Sequence, residues 1–190
     1  MKSFVITTFA SSLLFGTSLY ASESTTEIEG AQCDNYNVFV MRHLPKAEVT
    51  GKDPELSELG HKMALALADT DFMAHVDVGF STDYRRTKQT IKPSAARYDF
   101  DIHLYDPRDN QALVEVINTQ YCGKTVVIVG HSNTAPAIVT ALGGTFEVSF
   151  SGQSLPANTY VQLDESDYGA VFYIKKEKGV IEQDMLRLKP

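Results

Sequence analysis

The chain has 190 residues, of which 43% are hydrophobic and 22% are charged. This composition is typical of a globular domain with a sizeable core and argues against a disordered or repetitive chain. The formal net charge is −7 and no basic stripe is present, which argues against nucleic acid or an anionic membrane surface as a partner.

The first segment, 1–21, has the pattern of a secretory signal peptide. Lys2 precedes a short apolar run that ends in small residues near Ala21, as such peptides require. The run is interrupted by Ser and Thr and is short for a spanning helix, so we expect cleavage rather than a retained anchor. The expected mature protein is periplasmic or secreted and free of the membrane, with a polar lead-in, 22–35, and one domain, 36–190.

The first half of that domain alternates buried runs with helical patterns. NVFVM predicts a buried strand, and Ser57 is expected to cap a helix in which Leu59, Met63 and Leu67 recur at helical spacing. VDVGFS predicts a second strand. DYRRTKQTIKPSAARY predicts a second helix that is bent or ended near Pro93.

The second half continues the alternation and ends in strands. DIHLY predicts a short strand, DNQALVEVINTQ an amphipathic helix, TVVIVG a buried strand, and TAPAIVTALGG a helix with Pro136 in its first turn. TYVQLD and AVFYIKK are expected to pair antiparallel through ESDYG, with a lesser strand near VIEQDML. The whole pattern predicts an α/β fold, a three-layer α/β/α sandwich with a mostly parallel central sheet and an antiparallel edge.

Basic and imidazole side chains follow three of the predicted strands. Arg42 and His43 end the first strand, His131 ends TVVIVG, and Arg86 lies one turn inside the helix after VDVGFS. Ligands bind at the carboxyl ends of strands in open α/β sheets, so we expect these side chains to share one crevice. This set of side chains suits the binding of a tetrahedral oxyanion such as phosphate. The backbone amides at the start of the helix predicted near Ser132 would add further donors.

Zinc is the competing ligand for a pair of histidines. The flanking arginines would repel a cation, and neither an H-x-E nor a C-x-x-C spacing accompanies the pair, so we expect no metal and no cofactor. A packing role for the histidines is a further alternative, and it predicts no affinity for oxyanions.

The chain has two cysteines, Cys33 and Cys122. An even number in an oxidising compartment favours one disulfide. Cys33 precedes His43 by ten residues and Cys122 precedes His131 by nine, which predicts that both lie at the opposite edge of the sheet. Two free buried thiols remain the alternative.

Four segments, MRH, DPELSELGHKMALALA, GFSTDYRRTKQT and VVIVGHSNT, occur in this order within residues 38–144. Together they resemble the successive motifs of the histidine phosphatase superfamily, also called phosphoglycerate mutase-like. RHLPK, YDPRD and GHSNTAPAIVTALGG are similar to a group of small secreted or periplasmic bacterial members. The resemblance implies that His43 is a nucleophile that becomes phosphorylated. It also implies that the phosphoryl group is surrounded by Arg42, Arg86 and His131.

An exported, metal-independent phosphohydrolase is the function that this resemblance implies, acting on a small phosphorylated compound. A neutral imidazole attacks phosphorus in line, and water then hydrolyses the phosphohistidine. Lys46, in the loop after the RH pair, and Ser132 are further candidates for substrate binding. The alternative function is a phosphate-binding module of the same fold that has lost turnover.

The sequence departs from the family pattern at two positions. Leu44 stands where a small residue is common, and Ser132 stands where some members carry an acidic residue. Asp106 is the candidate general acid, with Glu48 and Asp83 as alternatives. Without an acid, we expect good leaving groups to be favoured, as in phosphoramidates, acyl phosphates and pyrophosphates.

Overall fold

The computed structural model describes residues 33–49, 51–150, 153–156 and 160–189. The predicted signal peptide and all of the lead-in before residue 33 lie outside the described residues. Among the helices in the described ranges, none is both long and apolar enough to cross a membrane.

Strands and helices alternate through the first two thirds of the described chain. The strands are β1 (Tyr36–Arg42), β2 (Val78–Ser81), β3 (Asp101–Leu104), β4 (Thr125–Gly130), β5 (Glu147–Phe150), β6 (Gln153–Pro156), β7 (Ala170–Glu177) and β8 (Val180–Arg187). The helices are α1 (Glu58–Ala68), α2 (Arg85–Tyr98), α3 (Asn110–Gln120) and α4 (Thr134–Ala141), with a short 3₁₀ helix at Asp71–His75.

Six strands form one sheet in the order β3, β2, β4, β1, β7, β8. The first four are parallel, whereas β7 runs antiparallel to β1, and β8 runs antiparallel to β7. A separate hairpin joins β5 and β6. The predicted sheet, mostly parallel with an antiparallel edge, is confirmed.

Helices cover both faces of this sheet. Val38 and Val40 of β1 belong to the core cluster that contains residues of α3 and α4. Phe39 and Met41, which alternate with them, belong to the cluster that contains residues of α1 and α2. Because both strand faces are buried, the central strands are apolar runs without alternation, and the predicted three layers are confirmed.

Helix α1 begins at the predicted cap but buries a narrower face than predicted. The Ser57 hydroxyl accepts a hydrogen bond from the Gly60 amide at 3.1 Å. Met63 and Leu67 are buried, whereas Leu59 is 48% exposed. Four residues of helix rotate about 40° beyond one full turn, so the spacing from 59 to 67 carries Leu59 away from the core.

Helix α2 does not end at Pro93. It continues from Arg85 to Tyr98 with Pro93 inside, so of the two predicted alternatives, a bend or an end near Pro93, the end is wrong. A proline removes one backbone donor from the helix. Ile91 of the same helix is fully buried, and such apolar burial opposes the cost of the lost hydrogen bond.

The C-terminal strand pairing differs from the prediction. Residues 160–169 contain no strand, and β7 pairs with β1 on one side and β8 on the other. The segment VIEQDML, predicted as a lesser strand, lies in the eight-residue strand β8. Sequence periodicity identifies a strand but not its partner, because pairing is decided between segments far apart in the chain.

The predicted disulfide joins Cys33 and Cys122, with the two Cα atoms 5.4 Å apart. Cys33 precedes β1 and Cys122 precedes β4, so the bridge lies at the amino ends of two adjacent parallel strands. The edge that carries His43 and His131 is the opposite one.

Candidate active site

The pairing of β1 with β4 brings the two strand-end histidines together. Arg42 is the register partner of Gly130, and the His43 amide donates to the Gly130 carbonyl at 2.9 Å. The imidazole centroids of His43 and His131 lie 5.6 Å apart. The two rings therefore lie together at the carboxyl edge of the sheet, as the order of the strand ends predicts.

His43 is held by its own backbone neighbour. Its Nδ1 lies 2.8 Å from the Leu44 carbonyl oxygen, so Nδ1 carries the proton and donates it, which leaves the lone pair on Nε2. The Leu44 amide donates to Thr90 Oγ1 at 3.0 Å. The Leu44 side chain is fully buried in the core cluster on the α1 side of the sheet, so its larger size is accommodated by the core.

The loop after His43 is fastened to the start of α1. The Pro45 carbonyl accepts from the Ser57 amide at 2.9 Å and from the Ser57 hydroxyl at 3.2 Å. A Cβ atom on Gly60 would lie 2.1 Å from the same carbonyl oxygen. Glycine in the segment SELG thus allows α1 to approach the loop that follows the candidate nucleophile.

His131 links β2, β4 and α2. Its Nε2 lies 3.0 Å from Thr82 Oγ1, and its Nδ1 lies 3.4 Å from Arg86 Nη2. Because a guanidinium can only donate, Nδ1 is the acceptor and Nε2 carries the proton. His131 therefore orients Arg86, while Thr82 orients His131.

Arg42 is enclosed by a segment that sequence analysis did not connect with the site. Its Nη1 donates to the carbonyls of Asp164 at 2.9 Å, Glu165 at 3.2 Å and Asp167 at 3.3 Å. Its Nη2 donates to Glu165 Oε2 at 3.1 Å. The Tyr168 ring stacks on the guanidinium at 4.1 Å and lies 5.9 Å from the His43 ring.

Segment 164–168 was missed because it was predicted to be the end of a strand and a tight turn. Its contacts with Arg42 span 122 to 125 residues of sequence, a distance over which local patterns carry no information. The acidic and aromatic run DESDY was the local feature that could have indicated a partner for an arginine of the site.

Burial keeps both histidines neutral. Burial lowers the pKa of His43 to about 3, with further lowering by Arg86 and Arg42. Burial also lowers the pKa of His131 to about 4, and the same two arginines add to the effect. The pKa of Arg86 is lowered as well by burial, which the Asp53 carboxylate opposes. A neutral His43 offers a lone pair to an electrophile at physiological pH.

Three buried guanidinium nitrogens have no hydrogen-bond partner among the described residues: Arg42 Nε, Arg86 Nε and Arg86 Nη1. Arg86 Nη1 has an ion-pair contact with Asp53 Oδ1 at 3.6 Å, which is longer than a hydrogen bond. Buried donors without acceptors are costly and mark a position for an absent acceptor. An oxyanion between the two arginines would supply it.

Lys46 and Ser132, predicted to bind substrate, lie at different parts of the site. Lys46 belongs to a cleft of about 460 Å³, here called the rim cleft, whose wall includes Arg86 and Tyr168. The further lining residues of the rim cleft are Ala47, Glu48, Val49, Gly51, Lys52 and Pro54. Ser132 precedes α4, and its carbonyl accepts from the Leu163 amide at 2.9 Å.

Asp106 is engaged elsewhere. Its carboxylate accepts hydrogen bonds from the Arg108 amide and guanidinium, and those bonds lower its pKa to about 2. Asp83 pairs with Lys88 and is 74% exposed, whereas Glu48 lines the rim cleft. A group with so low a pKa stays ionised at physiological pH, so Asp106 in this arrangement has no proton to give a leaving group.

The described ranges contain no cluster of three or more histidine, cysteine, aspartate or glutamate side chains that could hold a metal ion. The paired imidazoles face arginines rather than carboxylates.

Comparison with known proteins gives a family match and a set of similar folds. Residues 40–107 match the family model described as histidine phosphatase superfamily (branch 1). This stretch includes Arg42, His43 and Arg86. No curated protein matches the chain.

Solved structures share the fold at low sequence identity. A candidate phosphohistidine phosphatase SixA from Agrobacterium tumefaciens is 21% identical with a TM-score of 0.56, over 81% of this chain and 97% of that one. The protein histidine phosphatase SixA complexed with tungstate is 14% identical with a TM-score of 0.53, over 80% and 96%. A mycobacterial glucosyl-3-phosphoglycerate phosphatase with inorganic phosphate is 13% identical with a TM-score of 0.53, over 80% and 97%. The family match makes residues 40–107 similar to the histidine phosphatase superfamily, and the solved structures show that the fold is shared.

Proposed function

We propose that this protein is an exported, metal-independent phosphohydrolase that transfers a phosphoryl group from a small phosphorylated compound to His43 and then to water. The observation that carries the proposal is the group of buried, unpartnered guanidinium donors on Arg42 and Arg86 beside a neutral His43. The oxyanion-bound structures named above, with tungstate and with phosphate, support the same ligand chemistry.

The reaction follows from the protonation states in the site. Nε2 of His43 attacks phosphorus in line, the bond to the leaving oxygen or nitrogen breaks, and the electron pair departs with the leaving group. The guanidiniums of Arg42 and Arg86 stabilise the charge on the equatorial oxygens. Water then attacks the phosphohistidine, loses a proton, and releases phosphate with Nε2 free again.

Leaving groups that depart easily are favoured in this proposal. The pKa of Asp106, lowered to about 2 by Arg108, argues against it as a general acid. Phosphoramidates, acyl phosphates and pyrophosphates need less help from an acid than alkyl phosphates do. Faster turnover of simple alkyl phosphates than of phosphoramidates would overturn this part of the proposal.

Export is supported by the disulfide Cys33–Cys122, since such bonds persist in oxidising compartments. Cell fractionation with mass spectrometry of the mature N-terminus tests it. A mature chain that begins after Ala21 is expected, and a cytoplasmic, uncleaved chain would contradict it.

Hydrolysis of p-nitrophenyl phosphate tests the activity, measured from about pH 4 to about pH 8, because the lowered pKa values of His43 and His131 predict that both imidazoles stay neutral over most of that range. EDTA is expected to have no effect, and His43→Ala is expected to abolish both turnover and the acid-labile label from radioactive substrate. His61→Ala is the control, since His61 is an exposed residue of α1. Arg86→Lys is expected to lower kcat/KM by about a hundredfold, because an ammonium cannot form two parallel hydrogen bonds.

The experiment also separates the enzyme from a binding module of the same fold. Folded protein that binds tungstate but neither turns over nor acquires label on His43 would establish the binding module. Label that persists in His43→Ala would refute the assigned nucleophile.

A further inference from the structure

The rim cleft next to Arg86 contains two lysines, Lys46 and Lys52, that the proposed phosphoryl site does not use. It is lined by three cationic side chains, Lys46, Lys52 and Arg86, and by one carboxylate, Glu48. This is unusual for a chain of formal net charge −7. The cleft shares Arg86 and Tyr168 with the surroundings of His43, so a group in it would be joined to the phosphoryl group by a short linker.

Among the described residues the two lysines have no ion-pair partner, although carboxylates lie nearby in the same loop. Asp53 accepts from the Arg85 amide at 2.9 Å and pairs with Arg86, and Glu55 pairs with Arg85. Within the described part of the chain, Lys46 and Lys52 form no salt bridge, whereas Arg42, Lys62, Lys88 and Lys124 each do. Asp53 and Glu55 are thus committed to arginines, and Glu48 is the carboxylate that shares the cleft lining with the lysines.

The loop that carries Lys46 is fixed by backbone pairing. Lys46 forms an isolated antiparallel bridge with Leu56, and the Ala47 amide donates to the Glu55 carbonyl at 2.8 Å. The Leu56 amide donates to Gln89 of α2 at 2.8 Å, which ties the loop to the helix of Arg86. This pairing holds the backbone of Lys46 in place and lowers the entropic cost of ligand binding.

We propose that the rim cleft is a subsite for a second anionic group of the substrate, bound by Lys46 and Lys52. The substrate class is therefore a phosphorylated compound whose leaving group carries another phosphate or a carboxylate. This inference rests on the proposed function, because it places the first phosphoryl group between Arg42 and Arg86.

Calorimetric titration of phosphonates tests the subsite without requiring turnover. Propylphosphonate, which carries one anionic group, is the one-headed reference. The two-headed ligands carry two anionic groups each, and they are ethylene bisphosphonate, butylene bisphosphonate and phosphonopropionate. At least one two-headed ligand is expected to bind about tenfold more tightly than propylphosphonate, which corresponds to about 1.4 kcal/mol. A preference for bisphosphonates identifies the second group as phosphate, and a preference for phosphonopropionate identifies it as carboxylate.

The double variant Lys46→Gln/Lys52→Gln is expected to reduce that advantage to less than about threefold while leaving tungstate binding unchanged. Lys92→Gln is the matched control, since Lys92 is also exposed and forms no salt bridge with any described residue, but lies on α2 away from the cleft lining. Equal affinity for one-headed and two-headed ligands, or an advantage that survives in the double variant, would overturn the subsite. Failure of the unmodified protein to bind tungstate would instead refute the phosphoryl site itself.

Discussion

Acidification from about pH 7 to about pH 4.5 is expected to destabilise the folded protein through His43 and His131. Both imidazoles have their pKa lowered by burial, to about 3 for His43 and about 4 for His131. In the unfolded chain each titrates near its ordinary value of about 6.5. The unfolded state therefore binds more protons below that value, and the stability present above it is lost as the pH falls towards the folded pKa values.

The size of the effect follows from one pKa unit being worth about 1.4 kcal/mol. At about pH 4.5 the unfolded imidazoles are protonated, while the folded ones remain mostly neutral. Each histidine then lowers the free energy of unfolding by between about 2 and 3 kcal/mol relative to about pH 7, and the two together lower it by about 5 kcal/mol as an upper bound. A typical domain has an unfolding free energy of about 5 to 15 kcal/mol, so the loss would be large.

The loss of unfolding free energy is measured by urea unfolding at both pH values, with the unmodified protein and with His43→Gln/His131→Gln. The difference between the two proteins cancels the contributions that all other titratable groups make to both. The double variant is expected to lose about 5 kcal/mol less than the unmodified protein on acidification. Parallel losses in the two proteins would refute the argument that these buried imidazoles stay neutral.

Three further predictions concern the disulfide, the loop after the nucleophile and the aromatic cover of Arg42. Cys33→Ser/Cys122→Ser opens a loop with a sequence separation of 89, so urea unfolding should show a loss of about 4 to 5 kcal/mol. Gly60→Ala forces α1 away from the Pro45 carbonyl, so we expect a loss of about 1 to 3 kcal/mol in stability and a lower kcat. Tyr168→Leu removes the ring stacked on the Arg42 guanidinium, and calorimetry should show a tungstate Kd raised by about threefold to thirtyfold.

Each of these has a control. Reduction of the unmodified protein should reproduce the effect of the cysteine variants, and a loss below about 1 kcal/mol would contradict the loop-entropy argument. Leu65→Ala, at a 60% exposed position of α1, should leave stability nearly unchanged, unlike Gly60→Ala. Tyr168→Phe keeps the ring and should keep the affinity for tungstate, and an effect equal to that of Tyr168→Leu would assign the role to the hydroxyl instead.

Much of the fold could be predicted from local sequence. β1 and β4 are continuous apolar runs because helices cover both of their faces, and α1 and α3 begin at Ser57 and Asp109, whose side chains accept from amides three residues on. The residues after parallel strands converge at one edge of the sheet. The proximity of His43 and His131 therefore followed from the order of the elements alone.

The tertiary structure decided the C-terminal third and the environment of each site group. AVFYIKK could pair with several strands, and its place beside β1 depends on contacts that no local window contains. The enclosure of Arg42 by residues 164–168 has the same origin. Helix caps and buried runs are encoded by neighbouring residues, whereas partners, burial and pKa values depend on which distant segments exclude water from one another.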